Sequence, residues 1–170
     1  MKTLRRLREL TDPESFRLFG WSLLMVFVVA TLLRFTRLPV LLRYLTRPAA
    51  PIRTGHKSVR TLETRAVDRV RRYSHVIITG LLRSRRPCLL RSLVLYRYCW
   101  KCGVPVSIHF GVRSGMGGLE GHSWVTCDGI PLGESDAGVR PYIVVYSFPI
   151  NTDGTDPHDA PAVAGYLECA

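Results

Sequence analysis

The rhythm of apolar and polar positions changes twice along this chain. A sixteen-residue apolar run, Leu18 to Leu33 ("LFGWSLLMVFVVATLL"), lies between Arg17 and Arg34. It falls short of the ~20 residues that span a bilayer, and it is longer than most buried core helices. Arginine on both sides assigns no orientation. A core helix or a helix lying on a membrane is therefore expected in preference to a spanning one. "TDPES", Thr11 to Ser15, fits a helix start, with Pro13 early and Glu14 favoured by the helix dipole. "RPAAPIRTGH", Arg47 to His56, reads as a linker.

From Val59 the rhythm is helical. Val59, Leu62, Ala66, Val70, Tyr73, Ile77 and Leu81 recur every three or four positions, which predicts one amphipathic helix over 59–82. Arg60, Arg65, Arg69, Arg71 and Arg72 are expected on its wet side. "RSRRP" breaks the pattern, and a second helix is predicted from about Pro87 to Cys102. Its stop signals are Lys101 in the last turn, Gly103 just beyond, and Pro105.

The second change is to strands. "VPVSIHFGVR" is rich in β-formers, "SGMGG" is a flexible loop, and "LEGHSWVT" is a second strand. "CDG" turns the chain into a third strand beginning "IPLGE". "RPYIVVYSFPI" predicts a fourth, alternating poorly, as a strand covered on both faces does. The tail from Asn151 is acidic and turn-rich, and is expected to be loosely ordered. Helices followed by an antiparallel run give an α+β fold. The expected organisation is a helical, basic extension with linker over 1–57, a domain over 58–150 and the tail over 151–170, with no internal repeat.

Charge sharpens this division. Residues 1–113 carry 23 of the 24 Lys and Arg against 5 acids, a net +18, whereas residues 114–170 carry one against 8, a net −7. The basic front half suits an anionic partner or, equally, a solvated Arg-rich helical surface. Nucleic acid is disfavoured, because the aromatics are not interleaved with the arginine clusters as stacking platforms. Five cysteines is an odd number, their spacing suggests no disulfide framework, and no cleavable secretory signal is evident. A cytoplasmic protein is expected, with membrane association through residues 18–33 left open.

One cysteine is placed where reactivity would gain most. Cys88 follows Pro87 in the first turn of the second helix, where free backbone N–H groups and the helix dipole favour a thiolate. The bland alternative is a small structural residue at a helix start. His122 lies 34 residues on, in a predicted strand, and a helix-start cysteine facing a histidine on a sheet is the arrangement of papain-like thiol enzymes. Two carboxylates compete to orient that histidine, Asp128 and Glu134. If Cys127-Asp128-Gly129 is a three-residue loop, Thr126 pairs with Ile130 and His122 falls opposite Glu134. A two-residue turn would instead put Ser135 opposite His122. Asp128 in an Asp-Gly turn is explained by backbone needs alone, so Glu134 is favoured.

Other candidates have bland readings beside the functional ones. Arg91, one turn after Cys88, lowers the thiol pKa, binds substrate or simply makes a salt bridge. Cys99 and Cys102 straddle a helix C-terminus, so no metal site is assigned to them, Cys127 or His109. "SGMGG" lacks the Lys and following helix of a phosphate-binding loop, and no cofactor is expected.

Taken together, "PCLLRSL", "GVPVSIHFGVR" and "GLEGHSWVTCDGIPLGE" carry a resemblance. Over Pro87 to Glu134 the chain resembles the transglutaminase-like domain of lasso-peptide biosynthesis B proteins, the leader peptidases of those pathways. The resemblance implies a papain/transglutaminase-like core with Cys88 as nucleophile, His122 as general base and acid, and Glu134 where the family usually has an acidic third member, commonly Asp. Trp124 is similar to the family's tryptophan next to the histidine and joins Arg91 as a substrate-binding candidate, with packing in the core the preferred reading of Trp124. With no strand-rich start for a recognition domain, the chain looks like the stand-alone peptidase half of a split B protein. The implied partners are a precursor peptide, a separate leader-recognition protein and an asparagine-synthetase-like lasso cyclase. Two other readings stay open: a transglutaminase-like acyltransferase acting on peptide, and a basic membrane-associated scaffold without catalysis.

Overall fold

The computed structural model describes residues 13–47, 64–84, 86–115 and 117–149. The expected linker, the first turns of the helix from Val59 and the acidic tail lie outside them.

Helix α1 runs Pro13–Phe35 and α2 Leu38–Leu45. Helix α3, Thr64–Val76, continues directly into a π-helical stretch, Ile77–Leu82, and α4 is Pro87–Lys101. Strands β1 (Ser107–Gly115), β2 (Gly118–Cys127), β3 (Ile130–Pro131) and β4 (Ile143–Phe148) follow, with a one-turn helix α5, Asp136–Val139, before β4. The sheet is antiparallel in the order β3-β2-β1-β4. This is the α+β architecture that the change of rhythm predicts, with a helical N-terminal segment.

Helix α4 is the centre of the core. Leu90, Leu93, Val94, Leu95, Tyr96 and Cys99 are buried around it, and α1, α2, α3, β1 and β2 all pack on it. Its end obeys the stop signals: Gly103 takes φ +74, and the N–H groups of Gly103 and Val104 return to the carbonyls of Trp100 and Cys99. Val26 and Val29 of α1 and Leu41, Leu42 and Leu45 of α2 belong to the same hydrophobic cluster as α4, so the N-terminal helices complete this core. Helix α1 is 23 residues long, apolar enough to cross a membrane by length and composition, with 17% of its most apolar stretch buried.

Three expectations need correcting. The stripe over 59–82 breaks phase at its end: the wider i→i+5 turn buries both Ile77 and Ile78 and leaves Leu81 64% exposed. Strand β4 is not covered on both faces. It is a sheet edge whose Ile143 and Val145 are exposed and alternate with half-buried neighbours. The β2–β3 connection is the two-residue turn, not the three-residue loop. Cys127 pairs with Ile130 and Thr126 with Pro131, and Asp128 and Gly129 take φ +50 and +79, as a tight hairpin turn requires.

Candidate active site

The start of α4 presents Cys88 with little competition for its backbone donors. Arg86 at the N-cap offers no side-chain cap, and Pro87 at the first helical position has no N–H to leave unpaired. The Leu89 N–H reaches the Cys88 sulfur. Ser92, one turn on and on the same side of the helix, donates from Oγ to the Ser123 carbonyl at 2.6 Å. That bond pins the second turn of α4, just after Cys88, to β2 beside His122.

Glu134 reaches His122 by a different route from the one the strand pairing suggested. The true register would set Ser135 opposite His122, but pairing stops after Pro131, which supplies no N–H. The Leu132 N–H closes one further bond to Val125, and Gly133 then turns the chain with φ +72. Arg71 of α3 donates from Nη1 to the Gly133 carbonyl at 2.6 Å. The positive φ favours glycine at this bend, and a Cβ there would lie 2.6 Å from Arg71 Cδ and push that side chain aside. With the bend fixed, Glu134 Oε2 lies 2.7 Å from His122 Nε2, and Arg91 Nη2 donates to Oε1 at 2.8 Å. The three side chains are only 16–23% exposed.

Nε2 being taken by Glu134, Nδ1 is the ring nitrogen left for Cys88, the group that most strongly shifts His122. The electrostatics favour a thiolate–imidazolium pair. His122 is pushed up to about 9, first by its bond to Cys88 and then by Glu134, against the opposing effect of burial. Cys88 is held below an ordinary thiol, chiefly by His122; burial opposes, and the Leu89 N–H and the Arg91 charge assist. Burial is the largest single influence on Glu134 and pushes it up, but His122 and Arg91 together outweigh it and hold the carboxyl down.

Aromatic packing holds the imidazole from the other side. Trp124, 2% exposed, stacks on His122 with ring centroids 6.0 Å apart, and Tyr142 lies 5.0 Å from the same ring. Gly111, the β1 partner of His122, makes room for both: a Cβ there would lie 2.9 Å from the Trp124 ring and from Tyr142 Cβ. His109 bridges three strands, its two ring nitrogens facing Ser147 Oγ and Thr126 Oγ1 at 2.8 Å each. A cavity of about 760 Å³ lies beyond, along the β1–β2 hairpin, and includes Arg113, Glu120 and Pro141 in its lining. Arg113 sits over the Tyr142 ring, so this cavity adjoins the imidazole through one aromatic side chain.

Of the residues singled out in the sequence, Cys88, His122, Glu134 and Arg91 converge. Trp124 packs behind His122. Asp128 does not join them: it sits at the β2–β3 turn, six residues along an extended strand from His122, about 20 Å at ~3.3 Å per residue. Cys99 is fully buried and Cys127 nearly so; burial pushes both thiols up, Cys127 to about 12, away from reactivity. Arg71, Ser92, Gly111 and Tyr142 were not anticipated. Only Ser92 carried a sequence signal, its spacing of four from Cys88 on a helix.

The sequence pattern described as the Transglutaminase-like superfamily matches residues 23–147. No curated protein and no solved structure matched the chain.

Proposed function

The chain belongs to the transglutaminase-like superfamily, and from that premise we propose that it is a cysteine peptidase that removes the leader from a lasso-peptide precursor. The observation that carries the catalytic part is the Cys88–His122–Glu134 chain, with the thiol lowered and the imidazole raised by each other. The lasso-peptide assignment rests on the motif resemblance over Pro87 to Glu134.

In this reading the Cys88 thiolate attacks the carbonyl carbon at the leader–core junction. The tetrahedral oxyanion meets the backbone N–H groups of the uncapped α4 start. The C–N bond then breaks, His122 gives its Nδ1 proton to the departing amine, and the leader stays as a thioester on Cys88. A water enters, loses a proton to His122 and attacks the thioester; the C–S bond breaks to release the leader acid and regenerate the thiolate. Glu134 keeps the imidazole oriented and stabilises its charged form. Arg91 holds Glu134 in place through its bond to Oε1. A separate recognition protein delivers the precursor, and an asparagine-synthetase-like cyclase consumes the freed core amine.

The test is to incubate the chain with a lasso precursor and its recognition protein and follow masses. Leader and core should appear with the wild type and not with Cys88→Ala. Cleavage by the Cys88→Ala protein overturns the reading. If an added amine is incorporated in place of water, the same residues serve acyl transfer instead.

A further inference from the structure

The N-terminal helices present a surface that the proposed chemistry does not use. Buried positions of α1 are Ser15, Ser22, Val26 and Val29, which share one stripe at helical spacing. On the opposite side, Phe16, Leu24, Phe27 and Phe35 are 74%, 57%, 45% and 81% exposed. Gly20 and Thr31, also exposed, complete that second stripe. Helix α2 adds exposed Val40 and Tyr44. Four large apolar side chains exposed along one side of a helix mark a surface that interacts with something.

The charge around this stripe says what covers it. Residues 13–47 hold five arginines and one acid, Glu14. Arg17 and Arg34, both exposed, sit near the two ends of the α1 stripe, and exposed Arg37 and Arg43 continue the basic edge along α2. An exposed apolar face edged by arginines suits the headgroup–acyl boundary of an anionic bilayer. A second copy of this chain fits less well. Two-fold pairing of antiparallel stripes would set the Arg17 end of one helix against the Arg34 end of the other, with Glu14 alone to offset the like charges.

We infer that the exposed face of α1 and α2 docks on the surface of a bilayer containing anionic lipid, with α1 lying in the interface plane. Spanning is disfavoured by packing, because Val26 and Val29 are fully buried and α1 is held against α3 and α4. Crossing the bilayer would strip that side of α1 from the core. This inference is independent of the peptidase assignment, since none of its residues touches Cys88 or His122.

The experiment is sedimentation of the full chain with phosphatidylcholine vesicles, with and without phosphatidylglycerol. The protein should pellet with the anionic vesicles and be released by high salt or an alkaline wash. Charge reversal at Arg34 and Arg37 (to Glu) should weaken binding by about fivefold or more for each arginine. The Leu24→Asp, Phe27→Asp double variant should lose at least about tenfold. Both variants alter exposed side chains, and circular dichroism should show wild-type helix content. Equal binding to neutral vesicles, indifference to the Leu24/Phe27 change, or retention through the alkaline wash would each overturn the inference. So would dimerisation abolished by the Leu24/Phe27 change without any vesicle binding, which assigns the face to a second copy. Cys88→Ala should bind like wild type, which separates this outcome from failure of the peptidase reading.

Discussion

Glu134 joins two residues by its two oxygens: Oε2 lies 2.7 Å from His122 Nε2, while Oε1 receives Arg91 Nη2 at 2.8 Å. The carboxylate is therefore held from both sides, once by the helix that carries Cys88 and once by the strand that carries His122. Arg91 lies one turn after Cys88 on α4, so the bond also ties the orientation of the base to the position of the thiol. Arg91→Ala should lower kcat/KM by about tenfold through kcat, with KM little changed, and Arg91→Lys should recover part of the loss. Steady-state kinetics decide it: a change confined to KM would make Arg91 a substrate contact instead.

The two carboxylates suggested by the sequence separate cleanly in a paired substitution. Glu134→Gln should lower kcat by about 10²-fold or more, because an amide cannot hold the imidazolium as a carboxylate does. Asp128→Asn should stay within about twofold, since asparagine tolerates the left-handed backbone that the turn imposes. Cleavage rates of the two purified variants give the answer, and the reverse ranking would reassign the third position.

A pH profile of kcat/KM follows from the directions of the shifts. Cys88 is lowered, so the acidic limb should fall below the range of an ordinary thiol, as the thiolate takes up its proton. His122 is raised to about 9, so the imidazolium needed to protonate the leaving amine should persist to about pH 9 and be lost above it. A plateau between the two limbs is expected. An acidic limb near the free-thiol value of ~8.5 would show that no ion pair forms.

Gly111→Ala tests the packing behind the histidine. The new methyl meets the Trp124 ring and Tyr142 Cβ at 2.9 Å, and the second is attached to backbone that has little room to yield. A loss of about 1–3 kcal/mol is expected by denaturant unfolding, with reduced activity because both rings touch His122. Wild-type stability would mean that the sheet relaxes at this point.

Much of this was legible in the chain before any coordinates. The apolar rhythm located α4 and the strands because helix stop signals and β-branched runs act locally, as Gly103 and Pro105 do. The register that favours Glu134 from the sequence does not occur. Glu134 reaches His122 because Pro131 ends the pairing and Gly133 bends the chain, which carries the carboxylate back toward the histidine. Arg71 falls on the side of its helix expected to be wet, and nothing in its local sequence signals a bond to a carbonyl 62 residues away. Tyr142 and Gly111 meet His122 only through the sheet register, a long-range property that a single sequence does not display. The π-helical stretch was hidden for a similar reason, since Ile77 to Leu82 is equally compatible with a regular helix.

His122 is the main influence that lowers the Cys88 thiol toward its thiolate form. Alkylation by a small reagent across pH, with the modified cysteine mapped by mass spectrometry, tests this most directly. Cys88 should react first and at a pH clearly below the ~8.5 of a free thiol, with Cys99 and Cys127 protected by burial, and His122→Ala should remove its advantage. A Cys88 that reacts no faster than Cys102, or one whose reactivity is indifferent to His122→Ala, would contradict the account.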